Sequence, residues 1–179
     1  MMNIEATKRE ISRIANENKK TWKGFDYNLV LASNSERERQ VAAKEIAEYL
    51  YQNKYRTFTG LDKYLYYKLS GSLEQMIGIF EKIDNSAVYT NEYEGIVIID
   101  ISALSKYPNE YQVDYLKSRL ALLCQNTTVI ISYNPNLGEP MMRVLNKITC
   151  SLGKYIECKA DRKKEEKAKG ESYGKEEIA

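Results

Sequence analysis

The feature that most constrains the fold is a run near the middle of the chain, Ile96–Asp100. It contains four consecutive β-branched apolar residues and ends in a carboxylate. A strand with one solvated face alternates between apolar and polar residues, whereas this run indicates a strand covered on both faces, as in a parallel α/β sheet. Ligands of such sheets bind beyond the carboxyl ends of the strands, where Asp100 could hold the magnesium ion of a nucleotide. Alternatively, Asp100 only caps or hydrogen-bonds the following loop.

Strand and helix patterns alternate along most of the chain. Further strands are expected at residues 27–32, 55–59, 127–134 and 155–158. Helices are expected at 3–18, 35–52, 62–69, 72–83 and 110–125 and from Pro140 onward. Ser35 with Glu38, and Ser72 with Gln75, have the spacing of capping boxes. This alternation predicts an α/β three-layer sandwich with a mostly parallel sheet and right-handed crossovers.

The length of 179 residues suits one domain with a substantial core. We expect an N-terminal helix and linker at 1–26, an α/β core at 27–159, and a charged, disordered tail at 160–179. No apolar run reaches the ~20 residues that span a bilayer, so no membrane association is expected. Three cysteines without a C-x-x-C spacing favour free thiols and a cytoplasmic location.

Histidine is absent from the sequence. Ser-His-Asp and Cys-His catalysis and His-ligated zinc are therefore excluded. The net charge of +2 gives no overall electrostatic attraction to nucleic acid. The N-terminal segment is mildly basic, which indicates a solvated face or, as an alternative, a contact with nucleic acid. Its basic residues are Lys8, Arg9, Arg13, Lys19, Lys20 and Lys23.

From residue 27 to residue 159, the order of elements resembles the AAA+ nucleotide-binding core, most closely the helicase-loader and transposon-helper branch (the DnaC, DnaI and IstB type). Residues 55–69 look like the second strand of that branch and the helix after it. Ile96–Asp100 is similar to a Walker B strand, and residues 128–134 resemble the sensor-1 strand, with Asn134 as its polar end. Arg143, in the closing helix, resembles a phosphate-sensing arginine; the alternative, favoured without a phosphate cradle, is a surface or ion-pair arginine. The resemblance implies a P-loop NTPase-like fold, ATP with Mg²⁺ as cofactor, and a role in DNA replication or a mobile element.

The first turn departs from that family. A Walker A loop, G-x-x-x-x-G-K-[ST], wraps phosphate with backbone N–H groups and a lysine. Residues 32–39 contain neither glycine nor lysine. Glu36 and Glu38 fall in the first helical turn, where they would repel a polyphosphate. Ser35 and Arg37 remain as vestigial positions of such a site, and Arg37 and Arg39 are expected to point off the helix.

The Walker B resemblance is also incomplete. Ile101 stands where the family has a second acid that positions the attacking water. Without that acid, and without histidine, no general base for hydrolysis is evident. We therefore expect no catalytic residue, no bound cofactor and no metal, with Asp100 a metal ligand only if nucleotide binding survives. The chain after residue 159 is also too short for the helical lid of an AAA+ ATPase.

Three functions remain open from the sequence. The favoured one is an AAA+-derived domain that has lost ATP hydrolysis and serves as a protein-binding or assembly module. Its expected partners are other proteins, which the resemblance places in replication or a mobile element, and a second copy of the chain through self-association. The alternatives are an active nucleotide-binding ATPase of the helicase-loader type and an unrelated Rossmann-like module. Nucleotide binding separates the first two. The Rossmann-like module is expected to differ from the other two in whether the strand of Asp100 lies beside the strand of Tyr27.

Overall fold

The computed structural model describes residues 2–18, 25–53, 63–69, 72–86, 95–102, 104, 109–125, 127–137 and 139–158. The strand expected at 55–59 and the tail at 160–179 lie outside these residues. The strands are β1 (Asn28–Ala32), β2 (Leu65–Lys68), β3 (Ile96–Asp100), β4 (Thr128–Tyr133) and β5 (Tyr155–Cys158). The helices are α1 (Ile4–Glu17), α2 (Glu36–Gln52), α3 (Leu73–Ser86), α4 (Glu110–Leu123) and α5 (Glu139–Cys150). Within the described ranges, no helix combines the length and apolar character needed to cross a membrane.

The sheet is parallel throughout its described strands, in the order β2-β3-β4-β1-β5. β4 lies between β1 and β3, so the strand of Asp100 is not adjacent to the strand that follows Tyr27, and the adjacency that was to distinguish an AAA+-like core from an unrelated module is absent. This order differs from both the 3-2-1-4-5-6 and the 2-1-3-4-5 orders of the common doubly wound sheets. The chain has a three-layer α/β fold built on a parallel sheet, as the sequence predicted.

Helices cover both faces of this sheet. Val97 and Ile99 of β3 lie opposite Val129 and Ile131 of β4, and these four side chains are fully buried on the face covered by α3, α4 and α5. The alternate residues of the same strands are buried on the opposite face, under α1 and α2. Because each residue of β3 is covered, the strand has no polar alternation.

Two sequence expectations about local structure are wrong. Residues 65–68, expected in a short helix, form β2 and pair in parallel with β3, from Leu65 opposite Val97 to Lys68 opposite Asp100. Leucine and tyrosines in this segment suit a pleated, half-buried surface, and the sheet supplies hydrogen-bond partners that an isolated helical turn lacks. The apolar pattern of the helix at 35–52 predicts that Val41 is buried together with Ala42 and Ile46, but Val41 is 53% exposed. Ala42, Ala43 and Ile46 form the buried face of α2.

Asn28 fixes the register of three segments at the start of β1. Its buried side-chain amide donates to Leu152 O at 2.8 Å and accepts from Val129 N at 2.9 Å. Its backbone N–H donates to Lys154 O at 2.9 Å. One residue therefore joins β1 to the beginning of β4 and to the turn that leads into β5.

Candidate functional site

The candidate site lies at the carboxyl edge of the sheet, where β1, β3 and β4 end and α2 begins. Asp100 is the last residue of β3, and Ser132 lies opposite it on β4. Ser33 follows β1 and precedes the first turn of α2. Asp100 is 0% exposed, so its carboxylate faces the protein interior.

Both carboxylate oxygens of Asp100 accept hydrogen bonds from neighbouring groups. Oδ2 accepts from Arg39 Nε at 2.9 Å and from Ser132 Oγ at 2.8 Å. Oδ1 accepts from the backbone N–H of Ser102 at 2.9 Å, which holds the loop after β3 in an Asx turn. The loop-capping role considered from the sequence is therefore present, together with a buried ion pair that the sequence analysis missed.

Arg39 is the cation of that ion pair. Its side chain is 5% exposed, and Nη1 donates to Ser33 O at 2.7 Å, which ties the turn after β1 to Asp100. The expectation that Arg39 points off the helix is wrong. Arg39 shares the buried face of α2 with Ala42, Ala43 and Ile46 at spacings of three and four, and this spacing could have revealed it.

Opposing effects set the protonation of Asp100. Burial disfavours the charged form, but hydrogen bonds from Arg39, from the Ser102 N–H and from Ser132, with the positive charge of Arg39, bring its pKa below the ordinary value. Arginine stays protonated in proteins, so the pair is ionised at neutral pH. The guanidinium thus supplies the positive charge that a bound divalent cation would otherwise bring to this carboxylate.

The turn before α2 is closed by its own side chains. Ser35 Oγ accepts from the backbone N–H of Glu38 at 3.2 Å, which confirms Ser35 as the N-cap. The second hydrogen bond of the expected capping box, from the Ser35 N–H to the Glu38 carboxylate, is replaced by other contacts. The Glu38 carboxylate accepts from Ser33 Oγ at 2.8 Å and from the Met2 backbone N–H. The Ser35 N–H donates to Ser33 Oγ at 3.1 Å. Ser33, rather than Ser35, is therefore the centre of this turn.

Two acidic side chains, Glu36 and Glu38, lie in the first turn of α2. Burial raises the pKa of Glu38, but the hydrogen bonds from Ser33 and Met2 outweigh burial and lower it overall. Glu36, also in the first turn, forms an ion pair with Lys68 at the end of β2. Ionised carboxylates favour the positive end of a helix dipole, the place an incoming phosphate would need.

The other sequence-selected residues have no hydrogen bond or ion pair with Asp100 among the described contacts. Ser35 and Arg37 are exposed in and beside the first turn of α2. Asn134 is half-buried, and its Oδ1 accepts from the Asn136 N–H at 3.0 Å. Arg143 is exposed on α5. The structure instead brings Arg39 and Ser132 to Asp100. Ser132 carried one usable signal, since it is a polar residue that follows three consecutive apolar residues in a doubly covered strand.

The described cations of α1 include two that pair with nearby carboxylates. These ion pairs join Lys8 to Glu5 and Glu45, and Arg13 to Glu10 and Glu17. Part of the basic face noted in the sequence is thereby balanced within the protein, while Lys19, Lys20 and Lys23 lie outside the described residues. Within the described part of the chain, no group of three or more His, Cys, Asp or Glu is placed to hold a metal ion.

No family model matches the chain, and no curated protein matches it. Among solved structures, a chain in the structure of Drosophila ORC bound to AT-rich DNA and Cdc6 is similar at 14% sequence identity and a TM-score of 0.40. The match covers 87% of this chain and 57% of that one. A superposition of this quality assigns neither a family nor a function. The fold is defined by the parallel sheet, in which β4 lies between β1 and β3.

Proposed function

We propose that the chain is an AAA+-derived domain that has lost ATP hydrolysis and acts as a protein-binding or assembly module. The observation that carries this proposal is the buried ion pair between Arg39 and Asp100. It occupies the carboxylate that a nucleotide-bound Mg²⁺ would use. The setting in DNA replication or a mobile element, with other proteins as partners, rests only on the sequence resemblance to helicase loaders and transposon helpers.

The ion pair opposes metal binding at Asp100 for energetic reasons. Mg²⁺ takes oxygen ligands in octahedral geometry and usually keeps several waters. Asp100 has no exposed surface, and Arg39 and Ser132 donate to Oδ2 while Ser102 donates to Oδ1. A metal would have to displace the guanidinium and leave it buried without its anion. Breaking a buried pair in this way costs about 3–5 kcal/mol.

The turn before α2 opposes nucleotide binding independently. Phosphate cradles use free backbone N–H groups at a helix N-terminus. Here the N–H of Glu38 donates to Ser35 Oγ, and the N–H of Ser35 donates to Ser33 Oγ. The carboxylates of Glu36 and Glu38 add negative charge at the same place. Nucleotide binding would therefore require both a rearranged turn and the neutralisation of two acids.

Thermal unfolding with and without Mg-ATP tests this proposal, together with an ATP hydrolysis assay. A ligand at one hundred times its Kd stabilises a protein by about 2.7 kcal/mol, so even weak binding is detectable at millimolar ATP. We expect no shift in Tm and no hydrolysis above a no-enzyme control. An ATP-dependent rise in Tm that Arg37→Ala abolishes would instead establish a working nucleotide site. Arg37 is exposed, so this variant should fold.

A further inference from the structure

β2 lies at one end of the sheet, and the outer side of its backbone has no neighbouring strand among the described residues. The N–H of Leu69 donates to Asp100 O at 2.9 Å, so Leu69 faces β3. Successive residues in a parallel pair direct their N–H and C=O groups to opposite sides, so Tyr67 faces β3 as well. The N–H and C=O groups of Tyr66 and Lys68 face outward, and within the described ranges they have no backbone partner. We call this outer side the β2 edge.

Two lysines lie beside the β2 edge on the side of α2. Lys44 Nζ, on α2, lies 5.3 Å from the centroid of the Tyr66 ring. Lys63, shortly before β2, has its Nζ 5.8 Å from the centroid of the Tyr51 ring, near the end of α2. Both lysines are exposed, and neither forms an ion pair with another described residue. The tyrosine rings therefore hold two cations beside the edge without neutralising them.

A third lysine borders the β2 edge on the side of α3. Asp84 of α3 forms an ion pair with Arg119 of α4, and α4 packs against β4. The side of α3 that points away from α4 therefore lies towards the β2 edge. Lys82 lies two residues before Asp84, about 200° round the helix, and so on that side. Lys82 is exposed and has no ion pair within the described part of the chain.

The charges around the edge favour an acidic partner. Glu36 is neutralised by its ion pair with Lys68, at the end of β2. Glu48 is exposed one turn after Lys44. The lysines bordering the edge exceed the glutamates by two, as four against two. Lysines at a strand edge discourage pairing with an identical strand, because the like charges repel. The same charges attract a strand that carries carboxylates.

We infer that an extended, acidic segment of a partner protein adds to the sheet as a further strand beside β2. Its main chain bonds to the outward N–H and C=O groups of Tyr66 and Lys68, and its carboxylates approach Lys44, Lys63 and Lys82. Strand addition takes its affinity from main-chain hydrogen bonds and its specificity from side chains. A single-stranded nucleic acid would satisfy the lysines but leave the open main-chain groups unused. This inference rests on the proposed protein-binding function and specifies the surface and the chemistry of the partner.

Fluorescence anisotropy with the full chain tests strand addition. The probe is a labelled peptide of about ten residues, the length of a long strand, in which valine and glutamate alternate. It should bind, and the same peptide with lysine in place of glutamate should not. Lys68→Pro should weaken binding by about tenfold, because it removes an outward N–H and leaves the hydrogen bonds to β3 in place. Lys68→Ala is the matched control, since it loses the same ion pair with Glu36 but keeps the N–H.

Charge reversal tests the lysines separately and does not depend on whether the proline variant folds. Lys44→Glu/Lys63→Glu should weaken binding of the acidic peptide by about tenfold. Lys147→Glu, at an exposed position of α5, should bind like the wild type. Absence of binding by the acidic peptide overturns the inference, as does equal binding of the acidic and basic peptides. Equal affinity of Lys68→Pro and Lys68→Ala, both folded, also overturns it.

Two further measurements identify a different occupant of the β2 edge. Binding of a labelled single-stranded oligonucleotide without binding of the acidic peptide would assign the lysines to nucleic acid. A dimer in sedimentation velocity that Lys68→Pro abolishes and Lys68→Ala preserves would assign the edge to a second copy of the chain. Either result overturns the inference. None of these measurements involves ATP, so strand addition can fail while the Mg-ATP experiment still supports loss of nucleotide binding.

Discussion

Arg39 Nε lies 2.9 Å from Asp100 Oδ2 across 61 positions of sequence, with neither side chain appreciably exposed to solvent. The contact connects the helix after the first strand to the end of the third strand. Arg39 also donates to Ser33 O, which directly follows the first strand, and Asp100 also accepts from Ser132 Oγ of the fourth strand. A single buried pair thus organises the carboxyl edge of the sheet, where parallel α/β sheets bind their ligands.

Arg39→Met should lower the free energy of unfolding by about 3–5 kcal/mol, because it leaves the Asp100 carboxylate buried without its cation. The double variant Arg39→Met/Asp100→Leu should recover much of that loss, since it removes both charges. Arg37→Met, a neighbouring exposed arginine, should change stability by no more than about 0.5 kcal/mol. Urea unfolding measures all three. Equal losses for Arg39→Met and Arg37→Met would contradict a structural role for the pair.

Stability should also fall in acid through Asp100. Its folded-state pKa is lowered below the ordinary value for aspartate by the hydrogen bonds from Arg39, Ser102 and Ser132, so the folded protein binds this proton less readily than the unfolded chain. The contribution is therefore fully present above the unfolded pKa and is lost as pH falls from about 4 through the folded pKa. Urea unfolding at successive pH values should show a shallower acid slope for Asp100→Asn than for the wild type. Parallel slopes would mean that Asp100 is not the group responsible.

Ile99→Ala should destabilise the fold by about 2–5 kcal/mol through the cavity it leaves at the centre of the sheet. Ile99 is fully buried, on β3 opposite Ile131 of β4. Val41→Ala provides the contrast, because Val41 is 53% exposed and removes little buried surface. Denaturant midpoints compare the two. Similar midpoints would mean that β3 does not occupy the centre of the core.

Ser35→Ala should cost about 1 kcal/mol in the absence of any nucleotide, because it removes the acceptor for the Glu38 N–H at the start of α2. Mg-ATP should protect neither the variant nor the wild type against thermal unfolding. Ser118→Ala, at an exposed interior position of α4, should be nearly neutral or slightly stabilising. A loss for Ser35→Ala that appears only with ATP present would point to a ligand role for the turn.

Truncation at residue 161 should leave the thermal midpoint nearly unchanged. The tail from Lys159 onward has seven basic and six acidic residues and almost no apolar surface to bury. Differential scanning calorimetry of the truncated and full chains provides the comparison. A drop of several degrees would show that the tail packs against the domain.

The central strands and amphipathic helices were predictable because periodicity reports burial directly. Ile96–Asp100 lacked alternation and is the doubly covered β3, and residues 155–158 are β5 as expected. Residues 65–68 were assigned to a helix because a short segment does not distinguish the two periods well. Its strand conformation depends on pairing with β3, far along the chain.

The candidate site was harder to predict than the fold. The position of Asp100 is predictable because an apolar strand ends there. Its partner Arg39 is not evident from charge or from closeness to the turn, and only the helical phase of α2 indicates it. Arg39 falls in phase with Ala42 and Ile46, which places it inside. The contact of Glu38 with Met2 joins the turn to the segment before α1, a tertiary pairing that no local pattern encodes.

The side-chain amide of Asn28 has a consequence for the cooperativity of unfolding. It links β1 to residues at 129 and 152, more than one hundred positions away. If β5 or the turn before it detached, the amide would lose a partner in a buried place, which costs about 1–3 kcal/mol. The last strand is therefore coupled to the central ones although it lies at a sheet edge. Its amide protons should exchange with solvent at rates near those of β1 and β4, as part of one cooperative unit rather than as a fraying terminus.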